Sequence, residues 1–302
     1  MATGRGPAGP TKRDRREEAR ETARRMREEA AKKAKRRKVV IQSSVIGGVI
    51  AVLAIIGLIV FTTVGAGGGG AANPKNMLSG GILLQSPTTA VTTAAIKSGA
   101  KPTPTTTQLD GKTAHIQIWL DYQCPFCDQF ETTNDAQIKQ WLTDGSATLE
   151  IHPVAILDST ANKQYSTRAG AAVSCVANSK PEKFWDVNSA LFAKQPDEQT
   201  GGGLSNAQIL SIFKDAGVSS KAITDCVNNQ TFASFIGDMT QGATTNSQLK
   251  NPTSGGFGTP TVFVNGERYQ GGFTDAAQFA AFKDTAVKDA GSGKSITFPT
   301  SK

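Results

Sequence analysis

The residues of this chain best suited to chemistry are two cysteines three positions apart, in Cys124-Pro125-Phe126-Cys127. A pair so spaced can pass between dithiol and disulfide, provided one sulfur is held as a thiolate. The apolar run Ile116 to Tyr122 precedes the pair and a helix-like run, Asp128 to Trp141, follows it. The pair therefore falls at a strand-to-helix turn, where the helix N–H groups and macrodipole favour a negative first sulfur. Pro125 takes the first helical position, where its missing N–H costs nothing. Half a zinc site and a plain structural pair are the competing readings, and the surroundings fit redox work better.

A second feature lies far along the chain. Gly258-Thr259-Pro260-Thr261 opens the run Thr261 to Val264, and Asn265-Gly266 follows. A strand beginning at X-Pro and closed by Asn-Gly reads as a hairpin. Together, Asp121 to Glu131 around the cysteines and Gly258 to Gly266 resemble the DsbA-type thiol–disulfide oxidoreductases of the thioredoxin-like superfamily. The resemblance covers about residues 110–290, and the intervening stretch has the length of that family's helical insertion.

The resemblance implies roles for several residues. Cys124 is the exposed nucleophile and Cys127 the buried thiol that resolves the mixed disulfide. Pro260 is cis and packs against the cysteines, placing the carbonyl and amide of Thr259 beside Cys124. An extended peptide can pair with that backbone as an added strand. Phe126 stands where the family's strongest oxidants carry histidine. It cannot support a thiolate electrostatically, so a less extreme oxidant is expected, with a Cys124 pKa of roughly 4–7. Phe126 also reads as a hydrophobic rim for unfolded substrate. The chain departs from the pattern at Ile118, where many relatives carry a buried acid that accepts the resolving thiol's proton. Asp121, Asp128, Glu131 or water are the substitutes available; each carboxylate also reads as an ordinary surface or helix-turn residue.

The other two cysteines, Cys175 and Cys226, lie 51 positions apart on apolar stretches. In an exported domain an even pair reads as a structural disulfide, with two separate buried thiols as the alternative. They lack the close spacing of a second zinc ligand pair, so no metal site is expected, and no cofactor. His115 and His152 fall in expected strands and read as strand residues.

Charge is unevenly spread. Residues 1–38 hold 15 Lys+Arg and 6 Asp+Glu, a net of +9; the remaining 18 basic and 19 acidic residues give −1. The high pI therefore belongs to a tail, and the rest offers no nucleic-acid surface. Val45 to Val64 is uncharged for 20 residues, about 30 Å of helix and one hydrocarbon core. A buried core helix and a cleaved signal peptide, with Val64-Gly65-Ala66 as its cleavage site, are the rivals to an uncleaved signal anchor. The basic tail puts the N-terminus in the cytoplasm and the rest outside a bacterial cell membrane, where disulfides persist. That tail also reads as a partner for anionic headgroups, or simply as a topology signal.

The expected architecture is α/β: one transmembrane helix, then a thioredoxin-like fold with an inserted helical domain. Its parts are a basic cytoplasmic tail (1–38), a signal anchor (39–64), a flexible linker with one edge strand near Gly80 to Gln85 (65–109), the thioredoxin-like domain (110–158 and 250–292), the helical insertion (159–249) and a C-terminal tail (293–302). Ala114 to Tyr122 and Ala147 to Leu157 read as parallel core strands around a helix. Apolar periodicity places helices over 162–177, 183–193, 206–216, 221–228 and 232–248. Ser205 with Gln208 forms a capping box, Gly217 ends that helix, and Thr274 caps a last helix near Asp275 to Lys288. No internal repeat is visible.

The function expected is an extracytoplasmic oxidase that introduces disulfides into exported, still-folding proteins through Cys124–Cys127. The resemblance implies a membrane partner that reoxidises it through quinone. A reductase or isomerase with the same site is the alternative, since potential and not motif sets direction. No dimerisation module is visible, so a monomer is expected. A non-catalytic metal-handling or scaffold module is disfavoured, because such relatives usually carry CxxxC and a distant histidine.

Overall fold

The computed structural model describes residues 73–197 and 202–301. The basic tail and the apolar run Val45 to Val64 lie outside the described residues. Among the described residues no helix is long and apolar enough to cross a membrane.

The chain order is β1 (Ile82–Ser86), β2 (Thr89–Ala90), β3 (Thr106–Asp110), β4 (Ala114–Leu120), α1 (Pro125–Asp144), β5 (Ala147–Pro153), α2 (Tyr165–Ser179), α3 (Phe184–Phe192), α4 (Asn206–Asp215), α5 (Lys221–Asn228), α6 (Ala233–Thr245), β6 (Thr261–Val264), β7 (Glu267–Arg268), α7 (Ala276–Ala290) and β8 (Ser292–Thr297). Six strands form one sheet in the order β2-β1-β5-β4-β6-β7. β4 and β5 are parallel, Ile118 opposite Ile151, and α1 makes the crossover between them. β6 lies antiparallel to β4, Ile118 opposite Val262. That register brings the start of β6 level with the end of β4, so the loop before β6 meets the turn after β4.

The helical block fills the gap between β5 and β6 as its apolar periodicity predicts. Ser205 and Gln208 make the capping box of α4, and Gly217 follows that helix with φ 80°. α2 begins later than its periodicity predicts, at Tyr165, because Lys163 and Gln164 adopt left-handed φ of 52° and 55°. The side chain of Asn162 meanwhile accepts from the N–H of Ser159. The cap of α7 is Asp275, accepting from the N–H of Gln278, and not Thr274. Cys175 on α2 and Cys226 on α5 are joined by a disulfide, Cα to Cα 6.0 Å.

Two segments differ from their sequence readings. From residue 73 on, the stretch read as a flexible linker is packed. Met77, Ile82, Leu84, Val91, Ile96 and Leu109 are buried, and β1 pairs antiparallel with β5. β3 alternates, with Thr107 and Leu109 buried and Thr106, Gln108 and Asp110 exposed, a half-buried strand made of residues that read as linker. Likewise, 293–301 is no free tail. β8 pairs with β3, Phe298 is buried, the Trp119 indole N–H donates to Ser301 Oγ at 3.2 Å, and Asn246 Nδ2 donates to the Thr300 carbonyl at 2.7 Å.

The outer face of the central strands carries a buried polar cluster. Gln117 Nε2 and the Thr105 hydroxyl each donate to Glu150 at 2.7 Å, and Ser79 donates to it as well. Burial would raise this carboxyl, but His152 and the hydroxyl donors outweigh it and bring the pKa down to about 2. His152 stacks on Trp119, ring centroids 4.2 Å apart, and His115 bonds Thr148 at 2.8 Å. Both histidines are built into strands β5 and β4.

Candidate active site

α1 starts at Pro125 with Cys124 as its N-cap. The Cys124 carbonyl accepts from the N–H groups of Cys127 and Asp128, closing the first turn. The Thr259–Pro260 peptide is cis, and the Cys124 thiol donates to the Thr259 carbonyl at 3.3 Å. Strand, helix start and β6 loop thus converge on one sulfur. Cys124 and Cys127 are both free thiols.

The two sulfurs are held unequally. The Cys127 thiol lies against Cys124 and lowers its pKa to about 7; burial opposes this, and the Thr259 side chain and the N–H groups of Cys127 and Phe126 reinforce it. Burial pushes the Cys127 thiol well up, and a Cys124 thiolate beside it pushes the same way. Cys124 is therefore the sulfur that ionises more readily. It is not the exposed residue that the resemblance implies, since it is 4% exposed. Phe126 is the exposed one, at 56%, its ring centroid 6.3 Å from that of Phe273. The depressed pKa sets a pH dependence. Alkylation of Cys124 in the reduced protein should rise with pH about a midpoint near 7, with Cys127 unmodified. A midpoint near that of a free thiol, about 8.5, would remove the helix-turn activation from the account.

The three candidate carboxylates separate. Asp128 is half exposed on the helix. Asp121 and Glu131 are buried, which corrects their reading as surface residues, although Glu131 does lie on α1. Asp121 Oδ1 accepts from the Gln123 N–H at 2.8 Å and Oδ2 from the Leu157 N–H at 3.0 Å. Burial raises its pKa to about 6 against those bonds. Glu131 Oε2 accepts from Asn188 Nδ2 at 2.9 Å, and burial raises this carboxyl to about 8. Ile118 is fully buried on β4, so no acid occupies that position.

The helical insertion supplies two residues that sequence reasoning missed. Gln195, just beyond α3, donates to the carbonyls of Tyr122 at 3.1 Å and Cys124 at 3.0 Å. Asn188 on α3 accepts from the Tyr122 hydroxyl at 2.8 Å while donating to Glu131. Polar residues on a helical segment give no sign in sequence that they clasp a turn more than 60 positions earlier.

A family model described as Thioredoxin matches residues 110–284. The chain belongs to the thioredoxin family. Within that family, it is similar to three solved structures from Mycobacterium tuberculosis. The reduced disulfide bond oxidoreductase DsbG is 28% identical, with a TM-score of 0.50 over 65% of this chain and 84% of that one. Reduced DsbA is 25% identical, with a TM-score of 0.51 over 70% and 96%. Oxidised DsbA is 27% identical, with a TM-score of 0.52 over 68% and 92%. A sequence relative, the serine/threonine-protein kinase PknE of the same species, is 30% identical over 118 residues, 38% of this chain. The chain spans about a fifth of that kinase's length, 21%. The matched residues 110–284 include the dithiol, the start of α1 and the cis-proline loop that converge on Cys124.

Proposed function

We propose that this protein is a membrane-anchored protein disulfide oxidoreductase of DsbA type that oxidises exported proteins as they fold. The observation that carries the reading is the pairing of an activated Cys124 with a buried Cys127 under the Thr259 carbonyl. Likeness to the mycobacterial disulfide bond oxidoreductase DsbG and to DsbA supports the thiol–disulfide chemistry of this reading. A substrate thiolate attacks Cys124 Sγ of the oxidised enzyme, the Cys124–Cys127 bond breaks, and Cys127 leaves with the electron pair. A second substrate thiolate then attacks the substrate sulfur of the mixed disulfide and expels Cys124 as the better leaving group. Phe126 and Phe273 give the site an apolar rim for an unfolded chain. A quinone-linked membrane protein restores the disulfide, and the enzyme works as a monomer.

The basic segment 1–38 and the uncharged Val45 to Val64 support an anchor with the domain outside the cell membrane and a tail at anionic headgroups. Protease added to intact spheroplasts should then degrade the domain and spare the tail. Recovery of the domain wholly in the soluble exported fraction would mean a cleaved anchor.

One observation favours the reductase or isomerase reading. A Cys124 pKa near 7 lies closer to thioredoxin, about 7, than to the strong oxidant DsbA, about 3.5. The two readings part on reduction potential.

A further inference from the structure

We propose that Gln195 is a positioning residue of the redox turn: by bridging the carbonyls of Tyr122 and Cys124 it favours the reduced dithiol, and so makes the disulfide form a stronger oxidant. The role rests on the dithiol reading above and adds a determinant of its potential that comes from the helical insertion.

Two glutamines cross between the segments. Gln195 Nε2 donates to the Tyr122 carbonyl at 3.1 Å and to the Cys124 carbonyl at 3.0 Å. Gln123, the residue between those two, donates from its own Nε2 to the Pro196 carbonyl at 3.1 Å. Each side chain thus grips the backbone beside the other. The Gln123 side chain is buried, and its Oε1 has no partner among the described residues. An orphaned amide oxygen costs stability, so an apolar side chain would pack better at that position. What the amide supplies instead is the bond to Pro196. The base of this clasp is fixed. The Gln195 N–H donates to the Phe192 carbonyl at 3.0 Å, and the Phe192 ring stacks on that of Tyr122, centroids 5.1 Å apart.

The clasp favours one redox form for two reasons. A single NH2 group gives both its protons to two carbonyls, and it is satisfied only at their present spacing. That spacing belongs to the turn with Cys124 and Cys127 as free thiols. Closing the disulfide draws Cys124, the N-cap, toward Cys127 in the first turn of α1, and shifts the carbonyl that Gln195 holds. A bond made equally in both forms would cancel from the equilibrium, whereas a bond fitted to the thiol form favours reduction. Charge acts in the same direction. The Cys124 carbonyl already accepts from the N–H groups of Cys127 at 3.0 Å and Asp128 at 3.1 Å. A third donor draws more negative charge from an oxygen on the same residue as the thiolate sulfur, and lessens the repulsion between them.

The test is redox equilibration of the full chain with glutathione. One enzyme dithiol and one glutathione disulfide give one enzyme disulfide and two glutathione thiols, so electrons and protons balance. Gln195→Met keeps the length of the side chain and removes both donors. It should move the equilibrium constant about three- to tenfold toward the enzyme disulfide, the range of one net hydrogen bond. A role confined to packing would lower the Tm of both redox forms alike and leave the constant where it was, and that result overturns the proposal. Were Gln195→Met not to fold, Gln123→Met decides. It frees Pro196 and loosens the base from which Gln195 reaches, so the constant should move the same way, and an unmoved constant overturns the proposal. A wild-type chain that exchanges no thiol with glutathione would sink the dithiol reading itself. A wild type that equilibrates, beside a folded Gln195→Met with the same constant, sinks the clasp alone and leaves the dithiol standing.

Discussion

Replacing Cys124 by Ser should reduce thiol–disulfide exchange to the uncatalysed background, while Cys127→Ser should accumulate mixed disulfides with substrate. The asymmetry follows from the site. Cys124 carries the thiol lowered to about 7, and it is the sulfur at the helix N-cap facing Thr259. Removing it leaves Cys127, whose burial holds it protonated. A protonated thiol is a poor nucleophile, so no second route opens. Removing Cys127 leaves the attack by Cys124 intact and deletes the group that resolves its product. Non-reducing gels of cells expressing each variant read both outcomes. Mixed disulfides trapped by Cys124→Ser and absent with Cys127→Ser would reverse the two roles.

The second large effect concerns stability. Cys175 and Cys226 close a loop with a sequence separation of 51, for which the chain-entropy model gives about 4 kcal/mol. The bond ties α2 to α5, a helix of 8 residues too short to persist without tertiary support. Replacing both cysteines with Ala should cost about 2–5 kcal/mol and lower Tm by about 4–20 °C for a domain of this size. Exchange at low temperature should survive, because neither sulfur belongs to the active turn. Calorimetry of the double variant against wild type reads the shift. An unchanged Tm would mean that the insertion is held by its apolar core alone, and loss of exchange at 4 °C would mean that the bond shapes the site.

Much of this site was legible because its chemistry depends on local signals. Cys124-Pro125-Phe126-Cys127 carries its own helix start, and Thr259-Pro260 with Asn265-Gly266 carries its own hairpin. In the hairpin turn Asn265 and Gly266 both take positive φ, 50° and 85°, as that dipeptide allows. The helical block was legible from its period, down to the capping box at Ser205. What sequence concealed depends on distant partners. β3 and β8 are poor in apolar residues, and each becomes a strand by pairing with the other across most of the chain. Their Thr, Ser and Gly content reads as loop because β-propensity reflects packing context more than backbone preference. The two acids differ for the same reason. Nothing in the types or spacing of Asp121 and Glu131 tells a buried carboxylate bonded twice to backbone from one bonded once to an asparagine 57 positions away.

The direction of transfer rests on one equilibrium. Stabilising the Cys124 thiolate stabilises the reduced enzyme and makes the disulfide form a stronger oxidant. A pKa near 7 gives less of that drive than a strong oxidant has. The potential should accordingly lie between that of DsbA, about −120 mV, and that of thioredoxin, about −270 mV. Equilibrating the full chain with glutathione buffers, and counting Cys124 and Cys127 thiols by mass spectrometry, measures it directly. A value above about −230 mV is the result expected of a disulfide donor. A value at or below about −270 mV would contradict the oxidase reading and make the pair a reductant.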